Sequence, residues 1–133
     1  MKILLCAFIL LSLASCKKDG VVSTMKDAME GSWELRSRST WGAPVSFPAG
    51  NGEIMKFSRN GSYEMKRNDT LVASGHFDIS IKTDCYFRES NFAFTVLESS
   101  SGNYLYVEKR SDTLFFNTSN CVSDGSSSYY KRL

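Results

Sequence analysis

Leu71-Val72-Ala73-Ser74-Gly75-His76-Phe77-Asp78-Ile79-Ser80-Ile81-Lys82 carries the longest alternation of apolar and polar side chains in the chain. Leu71, Ala73, Gly75, Phe77, Ile79 and Ile81 fall on one face, and Ser74, His76, Asp78, Ser80 and Lys82 on the other. An α-helix repeats every ~3.6 residues and would scatter those apolar side chains around its axis, whereas a strand, with its period of two, collects them. One long strand with a dry face and a wet face is predicted.

Working outward, the neighbours have the same character. Ile54 to Phe57 and Ser62 to Lys66 flank Asn60-Gly61, a pair that tolerates positive φ and predicts a type I′ hairpin turn. Arg67-Asn68-Asp69 makes the next turn. Upstream, Trp33 and Leu35 alternate with polar residues from Gly31 to Ser37. Downstream, strands are predicted at Phe92 to Val96, Tyr104 to Lys109, Thr113 to Thr118 and Ser128 to Arg132, separated by Ser, Gly, Asn and Asp-rich turns. Ser23 to Glu30 is read as one or two helical turns, capped by Ser23 or Thr24 and stopped at Gly31, plugging one end of the domain. Thr40 to Gly52 carries Trp41, Val45 and Phe47 among Gly42, Pro44, Pro48, Gly50 and Gly52, and is read as an apolar loop.

Eight strands with no helix-length segment between them exclude parallel crossovers and predict an antiparallel meander. The expected class is all-β, an eight-stranded up-and-down barrel with a short N-terminal helical turn. A two-sheet sandwich is the alternative, and even strand spacing favours closure. At eight strands the interior is wide enough to be filled by side chains or to hold one small ligand.

The first residues set the address. Met1-Lys2 precedes an apolar run from Ile3 to Leu13, shorter than the ~20 residues a spanning helix needs, so it reads as a secretory signal. Leu13-Ala14-Ser15-Cys16 resembles the lipobox of bacterial lipoproteins at all four positions. That resemblance implies removal of residues 1–15, lipidation of Cys16, a tether over 16–23 and a barrel domain over 24–133. It also implies a place in the bacterial cell envelope. Lack of Asp at position 17 fits the outer membrane, with the periplasmic face and the cell surface both open. Several acyl chains clear the threshold of stable attachment that one alone does not reach.

With Lys2 removed from the 16 basic residues, 15 remain against 14 acidic ones, scattered singly or in pairs. No clustered basic stripe exists for nucleic acid. Of the four cysteines, Cys6 leaves with the signal and Cys16 carries lipid, so Cys85 and Cys121 remain to pair in an oxidising compartment. Such a bridge contributes roughly 3 to 4 kcal/mol in the chain-entropy model. A reactive or metal-binding pair is the other reading, without CxxC spacing or a neighbouring histidine to support it.

Gly31-Ser32-Trp33 resembles the Gly-x-Trp motif of lipocalins, which implies a cation-π contact between Trp33 and a basic residue near the last strand, here Arg132. The mature chain as a whole resembles small lipocalin-like lipoproteins of Gram-negative bacteria. The matching residues are Gly31-Ser32-Trp33, Ile54-Met55-Lys56-Phe57, Asn60-Gly61-Ser62-Tyr63, Asp124-Gly125 and Tyr129-Tyr130-Lys131-Arg132.

His76 is read as an exposed strand residue, and Glu34, Glu53 and Glu64 as solvated. Three sequon-like triplets at Asn60, Asn68 and Asn117 are read as turns. No catalytic constellation, metal site or cofactor motif emerges, so a non-enzymatic protein is expected. The inward set Trp33, Met55, Phe57, Tyr63, Met65, Phe77, Phe92 and Phe94 is either core or pocket lining, and Trp41, Val45 and Phe47 either cap the core or gate a cavity. The leading expectation is a membrane-anchored barrel binding a small apolar or amphipathic molecule at its mouth, with Trp41, Val45, Phe47, Met55, Phe57, Tyr63, Phe77, Phe92 and Phe94 as candidates for contact. The alternative is an interaction or inhibitor module with a packed core, presenting loops to an envelope protein or glycan.

Overall fold

Alternation in the Leu71 to Lys82 stretch survives into three dimensions: Phe77 and Ile79 are buried, and His76 and Asp78 between and beside them are exposed. The computed structural model describes residues 16–40, 42–85, 90–118 and 125–133. Helix α1 (Cys16–Met29) leads into β1 (Gly31–Ser39), β2 (Val45–Ser46), β3 (Glu53–Phe57), β4 (Ser62–Arg67) and β5 (Thr70–Thr83). Then follow β6 (Ser90–Val96), β7 (Tyr104–Arg110), β8 (Thr113–Asn117) and β9 (Ser127–Arg132).

Every neighbouring pair from β3 to β9 is antiparallel, and β1 pairs with β3 on one side and β9 on the other, from Trp33 opposite Arg132 to Ser39 opposite Ser127. The ring is therefore a closed eight-stranded antiparallel barrel, which leaves no continuous edge to template aggregation. The two residues of β2 lie outside it, paired to Ser37 and Arg38 of β1. Closure collects Trp33, Leu35, Phe57, Phe77, Ile79, Phe94, Val107, Leu114, Phe116 and Tyr130 into one core. Phe57, Phe77, Phe94 and Phe116 interlock with ring centroids 5.3 to 6.2 Å apart, mostly edge to face, as the ring quadrupoles prefer.

Four local expectations are corrected. The helix is not one or two turns from Ser23 but a 14-residue element that includes the stretch expected to be a tether. Val22, Met25 and Met29, three and four residues apart, lie against the barrel core, and this packing outweighs the low helix propensity of Gly20. Next, the turn between β3 and β4 is not type I′. Asn60 keeps a negative φ while Gly61 sits at +84°, and Gly61 N donates to Ser58 O at 3.0 Å. This is a type I turn over Ser58 to Gly61 followed by a left-handed glycine. Asn60 Oδ1 accepts from Ser62 N and Oγ. The positive-φ pair lies one turn later, at Asn68 (48°) and Asp69 (62°), between the paired residues Arg67 and Thr70.

Third, Leu71 is 54% exposed rather than inward. Met65 pairs with Ala73 but Lys66 with Leu71, so Val72 is a bulge, and the extra residue reverses the facing of everything before it. Last, the segment from Thr40 to Gly52 is not loop throughout, since it contains β2.

Candidate functional site

Because the strands alternate in direction, the barrel has two ends of different make. One gathers α1, the start of β1, the turn between β7 and β8 and the end of β9. There Trp33 is fully buried and its Nε1 donates to Met29 O at 2.7 Å. Arg132 lies 4.4 Å from the centre of the Trp33 ring, and its Nη2 donates to Ala28 O at 2.9 Å. A cation against the last carbonyls of a helix also favours the helix dipole. Gly31, at φ +123°, leaves room for this arrangement, since a Cβ there would stand 3.0 Å from Arg132 Nη1. Gly31, Trp33 and Arg132 thus fasten α1 as a plug.

The opposite end is the mouth, formed by the end of β1, the start of β3, the turns from β4 to β5 and from β6 to β7, and the start of β9. Phe57 is in the core, so Met55 and Glu53, two and four residues back on β3, look into the same interior. Their partners Tyr63, Met65 and Arg67 on β4 share that face. On β1, Arg38 stands opposite Ser128, two residues before the buried Tyr130, and so also faces inward. The result is a charged trio on one wall of the mouth. Arg67 Nε donates to Glu53 Oε1, and Arg38 Nη2 lies 4.0 Å from Glu53 Oε2. The glutamate side chain is 19% exposed, against 43% and 57% for the two arginines. Burial raises the Tyr130 hydroxyl above its ordinary pKa, with nearby Arg38 and Ser128 pulling the other way.

On the facing wall, Phe94, Val96, Ser99, Asn103, Tyr104 and Leu105 line a cavity of about 320 Å³ that opens to solvent. A second hollow, about 350 Å³, lies at the plugged end between α1 and the sheet, lined by Val21, Thr24, Met25, Ala28, Phe92 and Lys109.

The expected contact residues are therefore divided. Phe57 and Phe77 fill the barrel's centre and line neither hollow. Phe94 is at the mouth cavity and Phe92 at the helix hollow. Met55 and Tyr63 pack against the core from the charged wall. Phe47 is half-buried against the core, its N–H donating to Arg36 O, while Asn51 Nδ2 ties the loop to Leu35 O and Pro48 O at 2.7 Å. Val45 pairs with Arg38 at the end of β1 and is 57% exposed, and it lines neither hollow. Trp41 and Cys121 lie outside the described residues. Cys85 lies just past β5.

Three polar residues differ from expectation. Glu53, expected to be solvated, instead faces the interior with its side chain 19% exposed between Arg38 and Arg67. Glu34 is not solvated but buried beside Arg36, whose Nε is 3.4 Å away. His76 is exposed as expected yet has a carboxylate partner, since Glu98 Oε1 accepts from its backbone N–H at 2.7 Å and lies 2.8 Å from its Nδ1. That contact holds the Glu98 carboxyl below its ordinary value. No set of three His, Cys, Asp or Glu side chains gathers among the described residues.

The charged trio escaped sequence reasoning. Its signal was the hairpin register, which sets Glu53 opposite Arg67 once the turn is placed at Ser58 to Gly61. Comparison of the chain with family models, curated proteins and solved structures gives no match.

Proposed function

We propose that this chain is a lipid-anchored, lipocalin-like barrel of the bacterial envelope that binds a small apolar or amphipathic molecule at its mouth, without catalysis. The observation that carries the reading is the cavity bounded by Phe94, Val96 and Leu105 at the end of the barrel opposite α1. Its volume is at the lower bound of sites that take small ligands, about 300 to 1,000 Å³. The helix begins at Cys16, the residue the lipobox marks for acylation, so the lipid would be carried at the N-terminus of the helix whose other end plugs the barrel. In this reading Cys85 and Cys121 are bridged, as an oxidising compartment favours.

Two measurements test it. Mass spectrometry of the protein from intact bacterial cells is expected to find a chain beginning at an acylated Cys16, and an unmodified Cys16 would remove the anchor. Titration with decan-1-ol is expected to saturate one site; no binding of this or longer alcohols would remove the ligand.

A second reading, an interaction module, is favoured by exposed apolar side chains at the mouth end, Val45, Leu71, Val72 and Leu97. Grouped exposed apolar residues mark contact surfaces for other macromolecules. Replacing Leu71 and Val72 by Ser leaves decanol binding intact if the pocket is the working site.

A further inference from the structure

We infer that the mouth holds an oxyanion, so that its ligand is an amphiphile with a negatively charged head, gripped by Arg38 and Arg67. This rests on the mouth-binding reading above and deepens it. The trio carries two positive charges against one negative, so the wall keeps one uncompensated positive charge. Glu53, the most buried of the three, accepts from Arg67 Nε, and Arg38 Nη2 stands 4.0 Å from it, within ion-pair but not hydrogen-bond range. Most of the guanidinium donors are therefore left for a ligand. A guanidinium presents five N–H donors in a planar fork that matches the two oxygens of a carboxylate or phosphate.

The surroundings amplify this. Met55, Met65 and Tyr63 lie below the trio on the same inward face, and low-polarity walls strengthen the field of a charge at their edge. Apolar lining on the opposite wall supplies a place for a tail. A head on Arg38 and Arg67 with its tail toward Phe94, Val96 and Leu105 uses both walls. Glu53 has a definite part here: it holds the two arginines over the opening in the absence of ligand, which avoids two unpaired cations converging in one mouth.

The experiment is calorimetric titration of the full chain carrying Cys16→Ser with three probes: decanoate, decan-1-ol and acetate. Decanoate is expected to bind about tenfold or more tighter than decanol, an advantage that shrinks as salt rises. Acetate is expected to bind too weakly to detect. Arg38→Gln and Arg67→Gln should each remove most of the decanoate advantage and leave decanol unchanged, whereas Arg67→Lys should keep part of it. Glu53→Gln should tighten decanoate severalfold, an effect in the direction opposite to damage.

Equal binding of decanoate and decanol, unmoved by the arginine variants, would overturn the anion site and leave the apolar pocket standing. Acetate binding as tightly as decanoate would keep the anion site and overturn the amphiphile. Silence of all three probes would overturn both.

Discussion

The two ends of this barrel are built from the same alternating strands and do opposite things with them. At the plugged end the cation Arg132 is consumed by the Trp33 ring and the Ala28 carbonyl, and the helix covers what the strands leave open. At the mouth, Arg38 and Arg67 share a single carboxylate and face solvent. The lesson is that a basic residue at a barrel end is a rivet where an aromatic ring and helix carbonyls meet it. Where only one carboxylate answers two cations, as at the mouth, one positive charge is left over, and the anion receptor proposed above is built on it.

The strongest way to break the comparison is at Trp33. Trp33→Ala removes the largest buried side chain and its bond to Met29, so a loss of about 3 to 5 kcal/mol is expected in denaturant melts. A loss below ~1 kcal/mol would mean that the plug does not hold the barrel. Next comes the bridge proposed between Cys85 and Cys121. Its reduction is expected to cost roughly 3 to 4 kcal/mol, and peptide mapping without reductant should recover the two cysteines joined.

Arg132→Leu is expected to cost about 1 to 2 kcal/mol, from the lost cation-π contact and helix-end bonds. Arg67→Gln, at the other end, should change stability by no more than about 0.5 kcal/mol. Similar losses from the two arginine changes would erase the distinction between rivet and receptor.

The smallest effect concerns pH. The Glu98 carboxyl is held low in the folded state by its bonds to His76. Its contribution is therefore present above the ordinary glutamate pKa and is lost as pH falls through the lower folded value. Exchange protection of the His76 amide should fade over that acid range, and Glu98→Gln should remove the dependence.

How legible all this was in the sequence follows from which interactions are local. Period-two alternation in Phe77, Ile79 and Ile81 needs no partner to be read, and it gave the strand. Leu71 was misplaced because a bulge is a property of the pairing with β4, where Val72 has no opposite number. The reach of α1 was missed because Val22, Met25 and Met29 form a helix against a surface that exists only after the barrel closes.

Register explains the unseen trio. A two-residue loop centred on Asn60 and Gly61 would have set Glu53 opposite Asn68 rather than Arg67, and a slip of one residue turns every side chain to the other face. Arg132 over Trp33 was legible from a motif, whereas Arg38 beside Glu53 belongs to no motif and needed coordinates.

A backbone NMR titration of the Cys16→Ser chain with decanoate locates the bound molecule at one end of the barrel or the other. Shifts are expected at the mouth, in Arg38, Glu53, Arg67, Val96, Ser99 and Leu105, with Met25, Met29 and Trp33 unmoved. Shifts confined to Val21, Met25, Ala28 and Phe92 would place the receptor under the helix and contradict the mouth site.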